Sequence, residues 1–290
     1  MDTALQLRLA WERGCSLGEG EVSHLLHQSP LVKKLTQDFE PHPLFATFRV
    51  MGLSEIPYAG CLPYTQKLIA YLNQNIATDE GFSCLGGVEE MVPCYNAMLL
   101  EAYCRLGLAH SKQAQAALQW IENYQLFERN QSTVWPYKGV CKHGGCLGKT
   151  PCYIGIGKTV HALITYAECV PQNNTVESLL SQGTNYMLRH HMFQRLSDGR
   201  PISAHITEIA FPQSYALSLT DLVYIAGKRH LTAHPNCAAI LQLLQQKQVA
   251  ENRWKIEYIY HYKGYVPFEN KRKPSEWVSS LFPLWLQTDA

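Results

Sequence analysis

Apolar side chains recur every three to four positions along most of this chain, which is the spacing of one face of an α-helix. Before residue 40 this pattern fits one or two amphipathic helices, and from Leu62 onward it becomes regular, with apolar-periodic runs separated by polar loops. No convincing run alternates apolar and polar residues with the period of two that a strand requires. The pattern therefore predicts an all-α protein.

Prolines mark the start of four of these runs at a nearly constant interval. They are Pro93, Pro151, Pro212 and Pro274, with spacings of 58, 61 and 62 residues. Proline suits the first turn of a helix, where its missing N–H has no partner to lose. The first three units each hold two predicted helices, at 94–106 and 113–124, 152–169 and 176–190, and 213–227 and 236–248, and 275–286 begins a last unit. A fixed period near 60 residues with two helices per unit is typical of stacked αα-hairpins.

Composition favours a globular protein and disfavours several functional classes. The chain has 290 residues, 46% of them hydrophobic, and a formal net charge of +1 with no long basic run, which argues against general nucleic-acid binding. The first residues carry charges instead of a secretory apolar segment, and no uncharged apolar run reaches the length of a membrane span. We therefore expect a cytoplasmic protein whose ten cysteines are thiols, metal ligands or core residues rather than disulfides.

Cysteines give the chain its most distinctive candidate chemistry. Two Pro-Cys-Tyr sequences place Cys94 and Cys152 at predicted helix starts, where the helix dipole stabilises a thiolate. Zinc binds Cys and His side chains, and the candidate ligands are Cys84, Cys94, Cys141, His143, Cys146 and Cys152. The spacing of the loop cysteines is not a recognised CxxC pair. Three hypotheses stay open for this set: a bound metal, a reactive thiol, and buried or capping cysteines.

Further residues share the predicted inner face or the repeat position. His161 lies about two turns beyond Cys152 on the same predicted helix, so Cys94, Cys152 and His161 are the candidate catalytic residues. An aromatic residue follows each repeat proline by two or three places, namely Tyr95, Tyr153, Tyr215 and Trp277. These rings either line the mouth of a cavity and bind an apolar substrate, or pack between hairpins. Cys104, Cys169 and Cys237 occupy apolar helix positions and are predicted to be core residues.

The loops that follow the second helix of each unit resemble one another and a known motif. They share a Gln or His about seven residues before a small turn residue, followed in three of four cases by an aromatic residue. This pattern resembles the QxxxGxW motif of the terpenoid cyclase and protein prenyltransferase superfamily, with Trp135 and Trp254 at the Trp position and Phe82 and Pro201 as departures. The resemblance covers roughly residues 60–290. It implies an α/α toroid in which inner helices line a central cavity and outer helices surround them.

The resemblance leads to a definite domain and fold expectation. Residues 1–60 are expected to form an N-terminal helical segment packed on the toroid, and residues 61–290 are expected to form the toroid itself, with about five αα-hairpin repeats. In protein prenyltransferases one inner helix begins Asp-x-Cys-Tyr and a later one Tyr-His-x-Cys-Tyr, which places a zinc ligand on Cys94. The Asp and His of that motif fall on Val92 and Thr150 in this chain. A zinc site here therefore needs other cysteines as ligands.

The resemblance also bounds the activity. The DxDD acid motif of protonation-driven cyclases is absent from the chain, which disfavours cyclisation of a squalene-like substrate. Residues 146–290 further resemble a little-characterised group of prokaryotic cyclase-like proteins, through Phe211-Pro212 and a Lys273-Pro-Ser-x-Trp277 sequence. The first hypothesis is an enzyme acting on an apolar small molecule, isoprenoids being one class, with a cysteine-rich metal or thiol site. The alternative is a non-catalytic scaffold for a lipid, peptide or protein, and a helical partner subunit is a further expectation from prenyltransferases.

Overall fold

The computed structural model describes residues 1–137, 146 and 148–287, and these residues are predominantly helical. Twelve α-helices occur in this part of the chain: α1 Thr3–Glu12, α2 Glu19–Gln28, α3 Pro30–Leu35, α4 Pro43–Ser54, α5 Pro63–Asn75, α6 Pro93–Arg105, α7 Lys112–Tyr124, α8 Tyr153–Cys169, α9 Asn174–Arg189, α10 Leu219–Lys228, α11 Ala238–Gln246 and α12 Glu276–Trp285. Two short strands, β1 Ala77–Thr78 and β2 Gly81–Phe82, pair antiparallel between α5 and α6. The prediction of an all-α protein is confirmed at this level.

Local capping signals explain most of the helix boundaries. Ser111, Asn173 and Ser275 each stand immediately before a helix and accept a backbone N–H from its first turn. Such side chains satisfy donors that the helix itself leaves without partners. Pro93 is the first residue of α6, as the sequence predicts. The starts of α6, α7, α9 and α12 are therefore determined largely by short-range sequence signals.

The third repeat proline does not begin a helix, and the predicted helix over 213–227 is wrong at its start. Pro212 follows a cis peptide bond, and α10 begins only at Leu219. Ser218 and Asp221 form a capping box there, in which the Ser218 hydroxyl accepts the Asp221 N–H and the Asp221 carboxylate accepts the Ser218 N–H. Because two backbone donors are satisfied at that point, the helix start is fixed six residues later than predicted.

The helices pack in an ordered succession. Helix α4 contacts α6, α6 contacts α8, α8 contacts α10, α10 contacts α12, and α12 contacts α1. The second helix of each hairpin lies against the first, so that α5 packs on α4, α7 on α6, α9 on α8 and α11 on α10. One buried apolar cluster contains side chains from Ala4 to Trp285, and thus includes the N-terminal segment. Within the described residues, no helix has the length and apolar character needed to cross a membrane.

Candidate functional site

Four of the predicted ligand residues meet near the amino ends of α6 and α8. We call Cys84, Cys94, Cys146 and Cys152 the cysteine cluster. Cys84 and Cys94 belong to one buried group with Val92, and Cys146 packs against that group. The thiols of Cys146 and Cys152 are hydrogen-bonded to each other. The structure therefore brings thiols from three separate segments together, while Cys141 and His143 lie outside the described residues.

Local structure positions each side of the cluster. Cys94 is the second residue of α6, and Cys152 is the residue that caps the start of α8. The hairpin formed by β1 and β2 returns the chain toward α6, where the side-chain oxygen of Asn96 accepts the Phe82 N–H at 2.9 Å. Two residues later the Cys84 thiol donates to the carbonyl oxygen of Glu90 at 3.1 Å. Cys84 is thereby fixed beside the first turn of α6.

Burial and mutual proximity keep these thiols protonated when no cation is present. Burial, together with the nearby Glu90 carboxylate, raises the pKa of Cys84 to about 11. Burial first, and then the adjacent Cys152 and Cys146 thiols, raise the pKa of Cys94 well above its usual value. The hydrogen bond with Cys146, followed by burial, raises the pKa of Cys152. Stabilising thiolates here requires a positive charge among them, as a metal ion provides.

The metal hypothesis has one geometric limit. Among residues 1–137, 146 and 148–287, no group of three or more His, Cys, Asp or Glu side chains is arranged as a metal site. The donor set of the cluster has the chemistry that zinc prefers, since Cys₄ and Cys₃His are its common structural ligand sets. The cluster thus supplies suitable donors in contact, without a completed coordination geometry.

Two of the four predicted substrate-binding aromatic residues lie beside the cysteine cluster. Tyr95 and Tyr215 both pack against it, with ring centroids 6.0 Å apart. Tyr95 also contacts Phe48, whose ring centroid lies 5.0 Å from that of Tyr260. We call Phe48, Tyr95, Tyr215 and Tyr260 the aromatic surface. It adjoins the thiols; Phe48 is buried, whereas Tyr95, Tyr215 and Tyr260 are partly exposed.

The other two aromatic residues lie elsewhere. Tyr153 is buried between α8 and α9 and donates its hydroxyl to the carbonyl oxygen of Met192 at 2.6 Å. Trp277 is 2% exposed and stacks on Phe211 at 5.3 Å. The reason is the neighbouring helix that each ring faces: Tyr95 of α6 contacts Phe48 of α4, whereas Tyr153 of α8 contacts Tyr186 of α9. Equal distance from a proline therefore did not give equal orientation.

His161 faces charged groups and does not reach the cysteines. It is nine residues beyond Cys152, or about 13 Å of helix rise, and is 5% exposed. Its Nδ1 atom lies 2.9 Å from Glu101 Oε2, and its ring stacks on Tyr224 with centroids 4.1 Å apart. The three candidate catalytic residues are thus divided between two places, with Cys94 and Cys152 at one and His161 at the other.

His161 belongs to a chain of buried ion pairs that the sequence did not reveal. We call this set the ion network: Arg8, Glu12, Glu55, Glu101, Arg105, His161 and Lys228. Glu55 Oε2 lies 2.7 Å from Arg8 Nη1 and 2.7 Å from Arg105 Nη1. Arg105 Nη2 in turn lies 2.8 Å from Glu101 Oε1. The network thereby connects four helices, α1, α6, α8 and α10, and the residue after α4. Polar side chains, and not an apolar cavity, lie between them.

Space inside the network is small. A void of about 10 Å³ is lined by Glu55, Arg105, His161, Gln213 and Asp221, among others. Lys158, in the second turn of α8, is buried and pairs with Asp221 at 2.7 Å. The space between α6, α8 and α10 is therefore filled at this level by paired polar side chains, because buried charges require partners.

A much larger pocket lies at the carboxyl ends of the same helices. We call it the helix-end pocket. Its volume is about 800 Å³, and its lining includes Glu12, Arg105, Glu168, Cys169 and Lys228, from the ends of α1, α6, α8 and α10. The lengths of α6 and α8 place it roughly 20 Å from the cysteine cluster. This pocket was not predicted from the sequence, since charged residues at helix ends usually face solvent.

The ion network makes stability depend on pH in a definite direction. Burial by itself would raise the pKa of Glu12, but ion pairs with Arg8 and Lys228 outweigh it and hold that pKa at about 2, below the ordinary 4.5. A lowered pKa stabilises the fold above the ordinary value, and this contribution is lost as pH falls toward the folded value. We expect a loss of about 3 kcal/mol from this group.

This pH dependence is tested by measuring the free energy of unfolding of wild type and of Glu12→Gln between about pH 5 and pH 2. That interval covers the ordinary and the lowered pKa of Glu12. The advantage of wild type over the variant should shrink as pH falls. Glu19→Gln, an exposed change on α2, should show no such convergence. A constant difference between wild type and Glu12→Gln over this range would contradict the assignment.

Comparison of the chain with protein-family models, with curated proteins and with solved structures finds no match in any of the three. A functional hypothesis therefore depends on the residues and their arrangement.

Proposed function

We propose that the protein is a closed α/α toroid of the cyclase and prenyltransferase type that holds an apolar small molecule on the aromatic surface, beside zinc bound in the cysteine cluster. The ring is supported by the order of contacts: α4, α6, α8, α10 and α12 follow one another, and α12 contacts α1. The ion pair between Arg8 of α1 and Glu55, the residue after α4, links the two ends of this succession. The second helices of the hairpins lie outside that succession, as a toroid requires. In this arrangement α1 and α4 contribute to the ring together with the later repeats.

The convergence of four thiols from three segments is the single observation that carries the proposal. Cys84, Cys94, Cys146 and Cys152 would hold the metal, and Cys141 and His143 are the further donors that the sequence predicts. Zinc bound there would activate a thiolate or polarise an oxygen of a substrate. The proposal assumes a reducing compartment such as the cytoplasm, where these thiols stay available as ligands.

The aromatic surface supports the choice of substrate class. Tyr95 and Tyr215 pack against the cysteine cluster and also against a buried apolar cluster of Phe48, Met51 and Met98. A guest molecule on these two rings would therefore lie against the thiols. Aromatic rings bind apolar and cationic molecules through their faces. An isoprenoid chain is one ligand of this class. Transfer or rearrangement of such a molecule next to the metal is the proposed reaction type.

Metal analysis tests the zinc site directly. Purified without chelators, the protein should contain about one equivalent of zinc, and Cys94→Ser and Cys152→Ser should each lose most of it. Cys15→Ser, an exposed cysteine before α2, is the matched control and should keep the metal. Wild-type protein with less than about a tenth of an equivalent would overturn the metal part of the proposal.

Native mass spectrometry tests the ligand separately from the metal. An apolar compound should copurify with wild type and be lost in a Tyr95→Ala, Tyr215→Ala double variant. Tyr137→Ala, at an exposed tyrosine, should retain it. Equal retention by both variants would place the ligand away from the aromatic surface.

A second candidate function is favoured by the ion network. Because paired charges fill the space between α6, α8 and α10, the ring would serve as a rigid, non-catalytic scaffold that binds a lipid, peptide or protein on its exterior. A helical partner subunit belongs to the same class of hypothesis. A metal-free protein that forms a stable complex in size-exclusion chromatography, with no copurified small molecule, would favour this candidate.

A further inference from the structure

A second pair of thiols lies at the opposite ends of α6 and α8 from the cysteine cluster. Cys104 and Cys169 stand in the last turns of these two helices. The Cys169 thiol donates to the carbonyl oxygen of Cys104 at 3.6 Å, and each thiol lies near enough to shift the pKa of the other. The two cysteine side chains are therefore neighbours across the ends of their helices.

The two thiols differ in access. Cys104 is 3% exposed, as predicted for a core residue, whereas Cys169 is exposed and the prediction of a core position for it is wrong. Cys169 is the final residue of α8, where the helix leaves the core, so its apolar phase no longer faces other helices. One thiol is therefore accessible to solvent, while the other is almost fully buried.

Both thiols border the helix-end pocket. Its volume of about 800 Å³ is ample for a small organic molecule. Arg105 lies on the same wall and supplies positive charge near Cys169. A ligand in this pocket would meet the exposed Cys169 more readily than the buried Cys104.

We propose that Cys169 and Cys104 form a redox pair that exchanges with low-molecular-weight disulfides entering the helix-end pocket. This function is independent of the zinc site, which lies at the other ends of the helices. Cys169 is the attacking thiol, and Cys104 is the resolving thiol. In a reducing compartment the pair would be a dithiol at rest and a disulfide after reaction.

The reaction is a two-step exchange. The Cys169 thiolate attacks one sulfur of the disulfide RSSR, forming a Cys169–SR bond and releasing RS⁻, which takes up the proton lost by Cys169. The Cys104 thiol then loses its proton and attacks the Cys169 sulfur, forming the Cys104–Cys169 bond. The second RS⁻ leaves and takes that proton. Two electrons pass from the protein dithiol to RSSR, which is reduced to two RSH.

Electrostatics agree with this division of roles. The hydrogen bond from the Cys104 thiol lowers the pKa of Cys169, and Arg105 lowers it further, against the opposing effects of burial and Glu168. The same hydrogen bond, followed by burial, raises the pKa of Cys104. The accessible thiol is therefore the more acidic one, as an attacking group requires.

Oxidised glutathione is the probe for the test, applied to the full chain, with cysteines mapped by alkylation and peptide mass spectrometry. Wild type should form the Cys104–Cys169 disulfide. Cys104→Ser should instead accumulate glutathione on Cys169, because the resolving thiol is missing. Cys169→Ser should form neither product at this place. Cys61→Ser removes another exposed cysteine of the same pocket and should behave as wild type.

Rates provide the second readout. Cys169 should react with oxidised glutathione at least about tenfold faster than Cys61 in the same protein. Equal rates at the two cysteines, or stable glutathione on Cys169 in wild type without the internal disulfide, would overturn the pair. Thermal unfolding of each variant shows that it is folded; should Cys104→Ser fail to fold, Cys104→Ala replaces it, and the exposed Cys169→Ser still decides the outcome.

Discussion

Replacing Glu55 by alanine should lower the free energy of unfolding by about 3–5 kcal/mol. The Glu55 carboxylate is 3% exposed and pairs with Arg8 and Arg105, each at 2.7 Å. Its removal takes one carboxylate partner from each guanidinium and leaves Arg8 with Glu12 and Arg105 with Glu101. The buried network then carries an excess of positive charge, and uncompensated buried charge is costly. Urea unfolding at neutral pH measures the change.

A surface ion pair provides the matched control. Glu128 and Arg189 lie 3.0 Å apart, but their side chains are 56% and 52% exposed. Glu128→Ala should therefore cost less than about 1 kcal/mol. Comparable losses for Glu55→Ala and Glu128→Ala would show that water entering from the helix-end pocket solvates Arg8 and Arg105 once Glu55 is absent, and that the network contributes little.

Replacing Gly264 by alanine should cost about 3 kcal/mol or more, for a steric reason. Gly264 has a φ of +78°, and an added Cβ would lie 2.1 Å from the carbonyl oxygen of Phe45. Both atoms belong to rigidly placed backbone, so no side-chain rotation relieves the contact. The Gly264 carbonyl also accepts the Arg49 Nε–H at 3.0 Å, which ties this loop to α4.

Gly199→Ala separates the steric effect from the backbone effect. Gly199 has a similar φ of +70° but no atom within 4 Å of an added Cβ. It should lose only the conformational advantage of glycine, about 1 kcal/mol. Unfolding of both variants in urea gives the comparison, and losses of equal size would contradict close packing of the Gly264 loop on α4.

The Gly264 loop also matters for the candidate site. Tyr260 and Tyr265 flank it, and Tyr260 packs on Phe48 of α4. A displaced loop would move one side of the aromatic surface. We therefore expect Gly264→Ala to weaken retention of an apolar ligand in the same native mass spectrometry experiment, whereas Gly199→Ala should leave it unchanged.

The pairing of helices into hairpins was predictable because it depends on short-range signals. Apolar periodicity, Pro93 as the first residue of α6, and the capping residues Ser111 and Asn173 all act within one or two turns. The repeat of Pro-Cys-Tyr also predicted that Cys94 and Cys152 lie at the starts of two helices, as they do in α6 and α8. Each of these features depends on a few consecutive residues, so the local sequence was enough to predict it.

The sequence was less informative about features that depend on exact helix starts or on contacts with distant residues. The start of α10 follows the local Ser218-x-x-Asp221 capping box, a signal that the emphasis on Pro212 overlooked. The orientations of Tyr95 and Tyr153 depend on contacts with Phe48 and with Tyr186, which lie on other helices. Only the second outcome required knowledge of the tertiary packing.

The sequence by itself determined an all-helical chain of αα-hairpins with cysteines at two helix starts. Only the tertiary structure decided that Arg8, Glu55 and Arg105 share one buried site, and that Cys104 and Cys169 face each other beside a large pocket. Arg8 is 47 residues from Glu55, and Cys104 is 65 residues from Cys169. Such contacts are set by the packing of whole helices, whose rotation and axial position depend on all their neighbours at once.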